Sequence, residues 1–347
     1  MRKTVYVKNV AIGGNHPVVI QSMTNTDTLD VAATSCQIER LAKAGADIVR
    51  LAVSSQQEVL ACKQMLACSP VPLVADIQFD YRLAVACADV GFGAIRFNPG
   101  NIGSEASVKE VVAACKHNNV PIRIGVNLGS LEKEIEHQYG RTAEALVEST
   151  LKHVHVLEKY DFSNIVLSAK ASDVKVMIDA NRQLHKKTLY PLHLGVTESG
   201  IAAYGTIKSA IGIGALLADG IGDTIRVSLT GDPCLEIPVA KDIVRASGRS
   251  KIGVEIVSCP TCSRCKYDMT PLVEAISKYT QDMSASLKIA IMGCVVNGPG
   301  EAKDADIGAC GGAGKCALFK KGKVLQTVDA AQVEEALKKL IDSEIHF

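Results

Sequence analysis

The sequence predicts an α/β fold, a (β/α)8 TIM barrel followed by a small α+β domain that carries a group of cysteines. Eight short runs rich in β-branched residues recur between residues 18 and 226, separated by Ala- and Leu-rich stretches. Continuous apolar runs are typical of parallel strands buried on both faces. Eight strand–helix units fit a barrel, which we place at residues 1–247, with the second domain at residues 248–347.

Alternating strands and helices also allow a doubly wound sheet, which is the second possible arrangement. No G-x-G-x-x-G fingerprint follows the first predicted strand, and this disfavours a dinucleotide site of the Rossmann type. Residues 233–247 predict the last barrel helix, since Asp232 and Pro233 are start signals and Gly248 is a stop signal. The eight predicted strands are residues 18–21, 47–50, 72–76, 94–96, 121–125, 164–168, 191–195 and 223–226.

The second domain is predicted to alternate strands with one helix and to end in a hairpin and a second helix. The strands are residues 253–257, 287–292 and 305–309, and the helix lies near 268–281. Residues 316–328 predict a hairpin that turns at Lys321 and Gly322. The last helix is expected after an Asp329 cap, with one apolar face. That face carries Val333, Leu337, Leu340 and Ile341.

Composition limits the classes of function. The net charge of +1 gives no overall field that would attract nucleic acid or a membrane surface. We expect no membrane span and no signal peptide, because no long apolar stretch follows the basic residues near Met1. Twelve cysteines without a secretion signal indicate a reducing compartment, so the expected location is the cytoplasm.

The cysteines of the second domain have the spacing of a metal centre. Cys259, Cys262 and Cys265 are separated by two-residue gaps, and Cys294 follows on another segment. Thiolates are soft ligands that bind iron–sulfur clusters and zinc, so the spacing leaves both open, with Cys265 as a possible fourth thiolate. The turn sequence NGPG that follows Cys294 could bring Glu301 back toward it.

The predicted barrel places polar side chains at the C-terminal ends of its strands, where TIM-barrel active sites lie. Five of the eight ends carry a cation, and the obvious counter-charges are Asp76, Glu198 and Asp223. Buried arginines need an anion, and arginine binds phosphate in a bidentate manner, so a phosphate or diphosphate ester is the predicted ligand. The strand-end residues are Asn25, Arg50, Asp76 with Gln78, Arg96 with Asn98, Arg123 with Asn127, Ser168 with Lys170, Glu198, and Arg226 with Ser228.

Several motifs along the whole chain are typical of one family. They are VIQSMTNT (19–26), GAIRFNPGN (93–101), GVN (125–127), GDTIRVS (222–228), SCPTC (258–262) and GCVVNGPGE (293–301). With these motifs the sequence resembles the bacterial 4-hydroxy-3-methylbut-2-en-1-yl diphosphate synthases of the flavodoxin or ferredoxin type, enzymes of the methylerythritol phosphate route to isoprenoids. The motifs SCPTC and GCVVNGPGE together are the most specific part of the resemblance.

The resemblance implies a reductive ring opening of 2-C-methyl-D-erythritol 2,4-cyclodiphosphate to the linear hydroxymethylbutenyl diphosphate. It implies a 4Fe-4S cluster that passes two electrons from reduced flavodoxin or ferredoxin. Its ligands would be Cys259, Cys262, Cys294 and Glu301 rather than four thiolates. A carboxylate is a harder and more exchangeable ligand than a thiolate, so it can leave an iron open to substrate.

The resemblance also implies a substrate site in the barrel mouth, with Asp76 and Glu198 near the sugar-derived carbons. Glu198 is then the candidate for proton handling, and an ion pair with a nearby arginine is the alternative interpretation. Gln78 stands where the family often has histidine, and an amide cannot carry a proton at neutral pH. The implied substrate-binding residues are Arg50, Asp76, Arg96, Asn98, Arg123, Asn127, Lys170, Arg226 and Ser228.

The family arrangement implies a homodimer in which the cluster domain of one subunit caps the barrel of the other.

The alternative function is a phosphate-binding barrel transferase or aldolase, similar to dihydropteroate synthases, with a structural zinc domain. Lys170 would then be a candidate for Schiff-base formation. A non-enzymatic iron–sulfur carrier is a third hypothesis, but it leaves the strand-end arginines without a purpose.

Overall fold

The computed structural model describes residues 2–250, 252–265, 267–281, 283–294, 303–312 and 314–345. The chain forms two compact units, Met1–Ser250 and Lys251–Phe347, and each is described by itself. Among the helices in these ranges, none combines the length and the apolar composition that crossing a bilayer requires.

The first unit is the predicted (β/α)8 barrel, and this prediction is confirmed. Its eight parallel strands run in the order β8-β7-β6-β5-β4-β3-β10-β9. A single bridge between Leu167 and Leu192 closes the ring, where the Leu167 N–H donates to the Pro191 carbonyl at 2.8 Å. The strands are β3 (Val19–Met23), β4 (Ile48–Ala52), β5 (Leu73–Asp76), β6 (Ala94–Phe97), β7 (Ile122–Asn127), β8 (Ile165–Lys170), β9 (His193–Leu194) and β10 (Thr224–Ile225).

Helices surround the barrel, and side-chain caps begin most of them. Asp30, Ser55, Ser104 and Asp173, for example, each accept a hydrogen bond from a backbone N–H of the first helical turn. The last barrel helix is preceded by a 3-10 turn at Pro233–Leu235. The helices are α1 (Val31–Ala44), α2 (Gln56–Cys68), α3 (Tyr81–Val90), α4 (Glu105–His117), α5 (Lys133–Tyr139), α6 (Ala143–Glu158), α7 (Val174–Lys187), α8 (Ala202–Ala218) and α9 (Glu236–Ala246).

An N-terminal hairpin, β1 (Thr4–Val7) and β2 (Val10–Gly13), was not among the predicted elements. Its buried Val7 and Ile12 pack in one cluster with the first inward-facing residues of the strands β3 to β6. The hairpin therefore covers the N-terminal end of the barrel with apolar side chains. Those inward-facing residues are Val19, Ile48, Val74 and Ala94.

In its described residues, the second unit is a five-stranded sheet with two helices, as predicted for an α+β domain. Strands β11, β12 and β13 are parallel, and β14 and β15 continue the sheet in antiparallel pairing. Lys321 and Gly322 form the β14–β15 turn with positive φ, as the sequence predicts. Asp329 makes no capping bond, because a 3-10 turn (Ala330–Gln332) precedes the last helix. The elements are β11 (Val254–Ser258), α10 (Thr270–Thr280), β12 (Leu287–Met292), β13 (Ile307–Gly311), β14 (Lys315–Lys320), β15 (Lys323–Asp329) and a C-terminal helix (Val333–Ile345).

We predict that Ile12→Ala lowers the free energy of unfolding by about 2–4 kcal/mol, because it opens a cavity under the barrel. Ile12 is 4% exposed. Tyr6→Ala, on the same hairpin but 55% exposed, is the control and should cost much less. Equilibrium unfolding in denaturant measures both changes. Equal losses for the two variants would show that the hairpin does not seal the barrel.

Candidate functional site

The polar side chains at the barrel mouth come from the inward face of the strands. Successive strand residues alternate between the two faces, so positions two apart share the barrel interior. Strand pairing places Arg50 of β4 beside Val74 of β5. It places Arg96 of β6 between Asp76 of β5 and Arg123 of β7. Lys170, at the end of β8, lies beside Asn127 of β7. The predicted strand-end cations therefore meet in one place.

Asp76 is the central anion of this group. It accepts a hydrogen bond from Nη1 of Arg96 at 2.9 Å, and its Oδ2 lies 3.6 Å from Nε of Arg50. Burial by itself raises the pKa of Asp76, but Arg50 and Arg96 outweigh burial and hold the pKa below its ordinary value. The carboxyl is therefore ionised and fixes two of the arginines.

Glu236 is the second anion, and sequence reasoning missed it. Its Oε1 lies 3.6 Å from Nη2 of Arg226, and Ser22 donates to its Oε2 at 3.2 Å. Burial raises the pKa of Glu236, against the opposing effect of Arg226. Glu236 is the first residue of α9, so its contact with the mouth depends on helix packing rather than on a strand end.

The expectation that Asp223 balances the mouth cations is wrong. Asp223 precedes β10, at the opposite end of the barrel, where it accepts from the Leu192 N–H at 2.8 Å and lies 3.9 Å from Arg2. Glu198 is exposed and adopts a positive φ of 53°. Within the described ranges, no hydrogen bond or ion pair of Glu198 is present, so the ion-pair interpretation finds no partner.

The buried positive charge of the mouth exceeds the two carboxylates. Burial, only partly opposed by Asp76, lowers the pKa of Arg50 to about 9. Burial and the neighbouring arginines also lower the pKa values of Arg123 and Lys170 well below their ordinary values. Lys170 has no hydrogen bond or ion pair to another residue in the described part of the chain. Such a site favours an oxyanion that would supply the missing negative charge.

Two inward glycines make room for these cations. A Cβ on Gly125 would lie 2.2 Å from Nε of Arg96, and a Cβ on Gly195 would lie 2.7 Å from Nζ of Lys170. Both distances are far below a normal contact, so any larger residue would displace the cation. The two side chains therefore lie across the neighbouring strands rather than pointing into solvent.

The remaining predicted polar residues differ in burial and in hydrogen-bond partners. Asn98 is buried, and its Oδ1 accepts from the Gly100 N–H at 3.0 Å, while its Nδ2 has no partner in the described residues. Asn127 and Ser228 are half-buried, and Gln78 is exposed. The side-chain Nδ2 of Asn25 donates to the Gly231 carbonyl instead of joining the cations.

Two interior residues were also missed, Gln21 and His193. Gln21, on β3, accepts a hydrogen bond from Nη1 of Arg123. His193, on β9, is fully buried, and burial together with Arg123 and Lys170 lowers its pKa well below the ordinary value. The strand period of two could have found both, because each lies two residues before an inward position at the mouth.

In the second unit, parallel strands bring two predicted ligands to one sheet edge. β11 and β12 are adjacent, Cys259 follows β11, and Cys294 is the second residue after β12. The Cys259 N–H donates to the Ile291 carbonyl at 3.1 Å, which holds the two segments together. Cys262 is exposed, and hydrogen bonds from the Arg264 backbone lower its thiol pKa, which favours the thiolate needed for metal binding.

The donor chemistry of these three cysteines fits an iron–sulfur cluster, but the predicted ligand set is not complete in the described ranges. Glu301 lies outside the described residues. Among those that are described, no three His, Cys, Asp or Glu side chains converge closely enough to hold a metal ion. The sulfur of Cys265, the other candidate, lies against Gly293 and donates to the Tyr267 carbonyl at 3.1 Å.

Comparison with known proteins adds to this geometry. The GcpE TIM-barrel domain matches residues 2–241, and the GcpE protein C-terminal domain matches residues 255–343. The chain is 53% identical to the 4-hydroxy-3-methylbut-2-en-1-yl diphosphate synthase (flavodoxin) of Clostridium perfringens, over 98% of each chain. It is 52% identical to the enzyme of that name from Caldanaerobacter subterraneus, over 99% of this chain and 98% of the relative.

Solved structures of lower sequence similarity share the fold over about 70% of this chain. The dihydropteroate synthase of Stenotrophomonas maltophilia aligns with a TM-score of 0.51 and 14% identity, over 70% of this chain and 97% of that one. The Yersinia pestis dihydropteroate synthase gives the same TM-score at 13% identity, over 72% and 100% of the two chains. At this identity the likeness concerns the fold and not the chemistry. The two GcpE domains and the relatives, in contrast, span both units, and the chain belongs to the GcpE family.

Proposed function

We propose that this chain catalyses the reductive ring opening of 2-C-methyl-D-erythritol 2,4-cyclodiphosphate to (E)-4-hydroxy-3-methylbut-2-enyl diphosphate, in isoprenoid biosynthesis. Two electrons and one proton enter. The ring C–O bond to the diphosphate breaks, a hydroxyl leaves as water, and a C=C bond forms. The observation that carries this proposal is the excess of buried cations over carboxylates in the barrel mouth. A transferase or aldolase with a zinc domain is not favoured, because the relatives over the whole chain have the synthase name.

In this proposal the barrel domain, residues 1–247, binds the substrate. The diphosphate lies among the five cations, where charge-assisted hydrogen bonds both bind and orient it. Asp76 holds Arg50 and Arg96 in place and lies near the sugar-derived carbons, while Glu236 holds Arg226. The binding residues are Arg50, Asp76, Arg96, Asn98, Arg123, Asn127, Lys170, Arg226 and Ser228.

The second domain, residues 248–347, holds the cofactor in this proposal. The ligands of a 4Fe-4S cluster are Cys259, Cys262, Cys294 and Glu301, and Cys265 is not a ligand. The cluster, when bound, supplies electrons one at a time and a Lewis-acidic iron. Glu301 contributes an oxygen ligand that exchanges more readily than a thiolate.

Glu198 is the proposed residue for proton handling. Its carboxylate is exposed after β9 and makes no ion pair with the arginines in the described residues, so it is accessible to water. A non-glycine residue with positive φ is uncommon and is often found at functional sites. Gln78, also exposed, serves at most as a hydrogen-bond partner.

The proposed partners are reduced flavodoxin or ferredoxin and a second copy of the chain. The relatives' names specify flavodoxin. The cations belong to one unit and the cysteines to the other, and we propose that the cluster domain of one subunit caps the barrel of its partner. An exposed apolar face near α8 is consistent with a subunit interface. That face carries Ile201, Tyr204, Ile207 and Ile211.

The central test is an assay under anaerobic conditions. Protein reconstituted with iron and sulfide should contain about four of each per chain and convert the cyclodiphosphate with reduced flavodoxin. Cys265→Ala should keep both properties, whereas Cys262→Ser should lose the cluster, and Glu301→Gln should lose activity. About one zinc and no acid-labile sulfide would remove the proposed chemistry. Loss of the cluster in Cys265→Ala would instead revise the ligand set.

Substitution of Gly125 tests the placement of Arg96. Gly125→Ala puts a Cβ onto the guanidinium, so Arg96 loses its bond to Asp76, and kcat/KM should fall about tenfold or more. Gly129→Ala is the matched control, since an added Cβ there meets nothing within 4 Å and activity should be unchanged. Steady-state kinetics on both variants decide the point. Full activity in Gly125→Ala would mean that Arg96 does not bind substrate from its observed position.

Subunit complementation tests the shared site. Lys170→Met disables the barrel and Cys262→Ser disables the cluster domain, so each variant alone should be inactive. When the two are unfolded, mixed and refolded together, about a quarter of wild-type activity should return, because half of the dimers are mixed and each has one intact site. If both halves of the site come from the same subunit, no activity returns.

A further inference from the structure

Three inward side chains form a layer just below the other mouth cations, and we call them the floor: Gln21, the cation Arg123, and His193. Strands β3 and β7 face each other across the closed ring, because four steps separate them in either direction. Arg123 on β7 donates through Nη1 to Oε1 of Gln21 on β3. Its guanidinium therefore crosses the barrel interior and separates the polar mouth from the apolar layer covered by the N-terminal hairpin.

Each floor residue keeps one buried nitrogen without a partner. Nε2 of Gln21, Nη2 of Arg123 and Nε2 of His193 make no hydrogen bond with any described residue. The three residues are 3%, 6% and 0% exposed. Buried polar groups are almost always paired, so three unpaired nitrogens in one layer indicate that another molecule supplies the acceptors.

His193 is neutral in this environment. Burial is the main cause of its lowered pKa, and the nearby cations add to it. The neutral ring has one N–H, and Nδ1 lies 3.3 Å from Oγ1 of Thr224. If the Thr224 hydroxyl donates to Nδ1, the proton of the ring is on Nε2. The charged groups that face this layer are Arg50, Asp76, Arg96, Arg123, Lys170, Arg226 and Glu236.

We propose that the floor is a donor subsite for the ligand, in which Gln21 Nε2–H, Arg123 Nη2–H and His193 Nε2–H bind the phosphate oxygens that lie deepest in the barrel. Gln21 and His193 are thus added to the substrate-binding residues. The amide, the guanidinium and the neutral imidazole all donate hydrogen bonds here. Such a site binds an oxyanion, which accepts hydrogen bonds, rather than a carbonyl carbon or an amine. This inference rests on the proposed function, because it takes the cyclodiphosphate as the ligand.

Two substitutions of His193 distinguish the contributions of its two ring nitrogens to binding. In His193→Gln the side-chain NH2 reaches the position of Nε2, whereas in His193→Asn the amide reaches only the position of Nδ1. We expect His193→Asn to weaken cyclodiphosphate binding about tenfold or more, and His193→Gln to stay within about threefold of wild type. Gln21→Met, which keeps the volume but removes the amide, should weaken binding in the same way.

Calorimetric titration of the full chain with 2-C-methyl-D-erythritol 2,4-cyclodiphosphate measures these affinities, and thermal unfolding of each variant checks its fold. If the wild type does not bind the cyclodiphosphate, the proposed function itself fails. If the wild type binds and His193→Asn binds equally well, only the floor subsite is overturned, and water occupies it.

A measurement on the unmutated protein covers the case in which a variant does not fold. In ¹⁵N-histidine NMR spectra, His193 should show the Nε2–H tautomer, and the Nε2 resonance should shift when the cyclodiphosphate binds. A proton on Nδ1, or an Nε2 resonance that the ligand leaves unchanged, would contradict the proposal.

Discussion

The barrel mouth buries more positive charge than its carboxylates balance, and this excess determines the properties of the site. Asp76 holds two arginines and Glu236 contacts a third, but Arg123 and Lys170 have no carboxylate of their own within the described residues. Charges in a medium of low dielectric interact strongly, so the cost of this arrangement is recovered only when an anion enters. In the proposed function, the dianionic substrate is bound by this charge excess, which the fold maintains at the expense of its own stability.

Much of this could be predicted from the sequence, because two periodic rules determine it. Parallel strands end at the same side of a sheet, and alternate residues share one face. Arg50, Arg96, Arg123 and Lys170 follow from these rules once the eight strands are located. The same rules place Cys259 and Cys294 at the edge of β11 and β12. Along the inward face of the strands, apolar residues lie at the end that the hairpin covers. Gln21 and His193 come next, and the cations lie at the mouth.

The sequence-based predictions are wrong or incomplete where tertiary contacts, and not the sequence pattern, determine the position of a residue. Asp223 was assigned to the mouth because it adjoins a strand, but it lies before that strand and so at the other end. Glu236 belongs to a helix, and only the packing of α9 brings its carboxylate to Arg226. The hairpin β1–β2 has strands of only four residues, so the alternation of exposed and buried residues in Thr4–Val7 is a short signal. The fourth cluster ligand, Glu301, depends on a segment outside the described residues.

The position of Glu198 follows from the same charge balance. A third carboxylate among the cations would form ion pairs with them and reduce the charge available to the diphosphate. The backbone of Glu198 has a positive φ, and its side chain is exposed after β9. Keeping this carboxylate apart from the cations preserves their charge for the ligand.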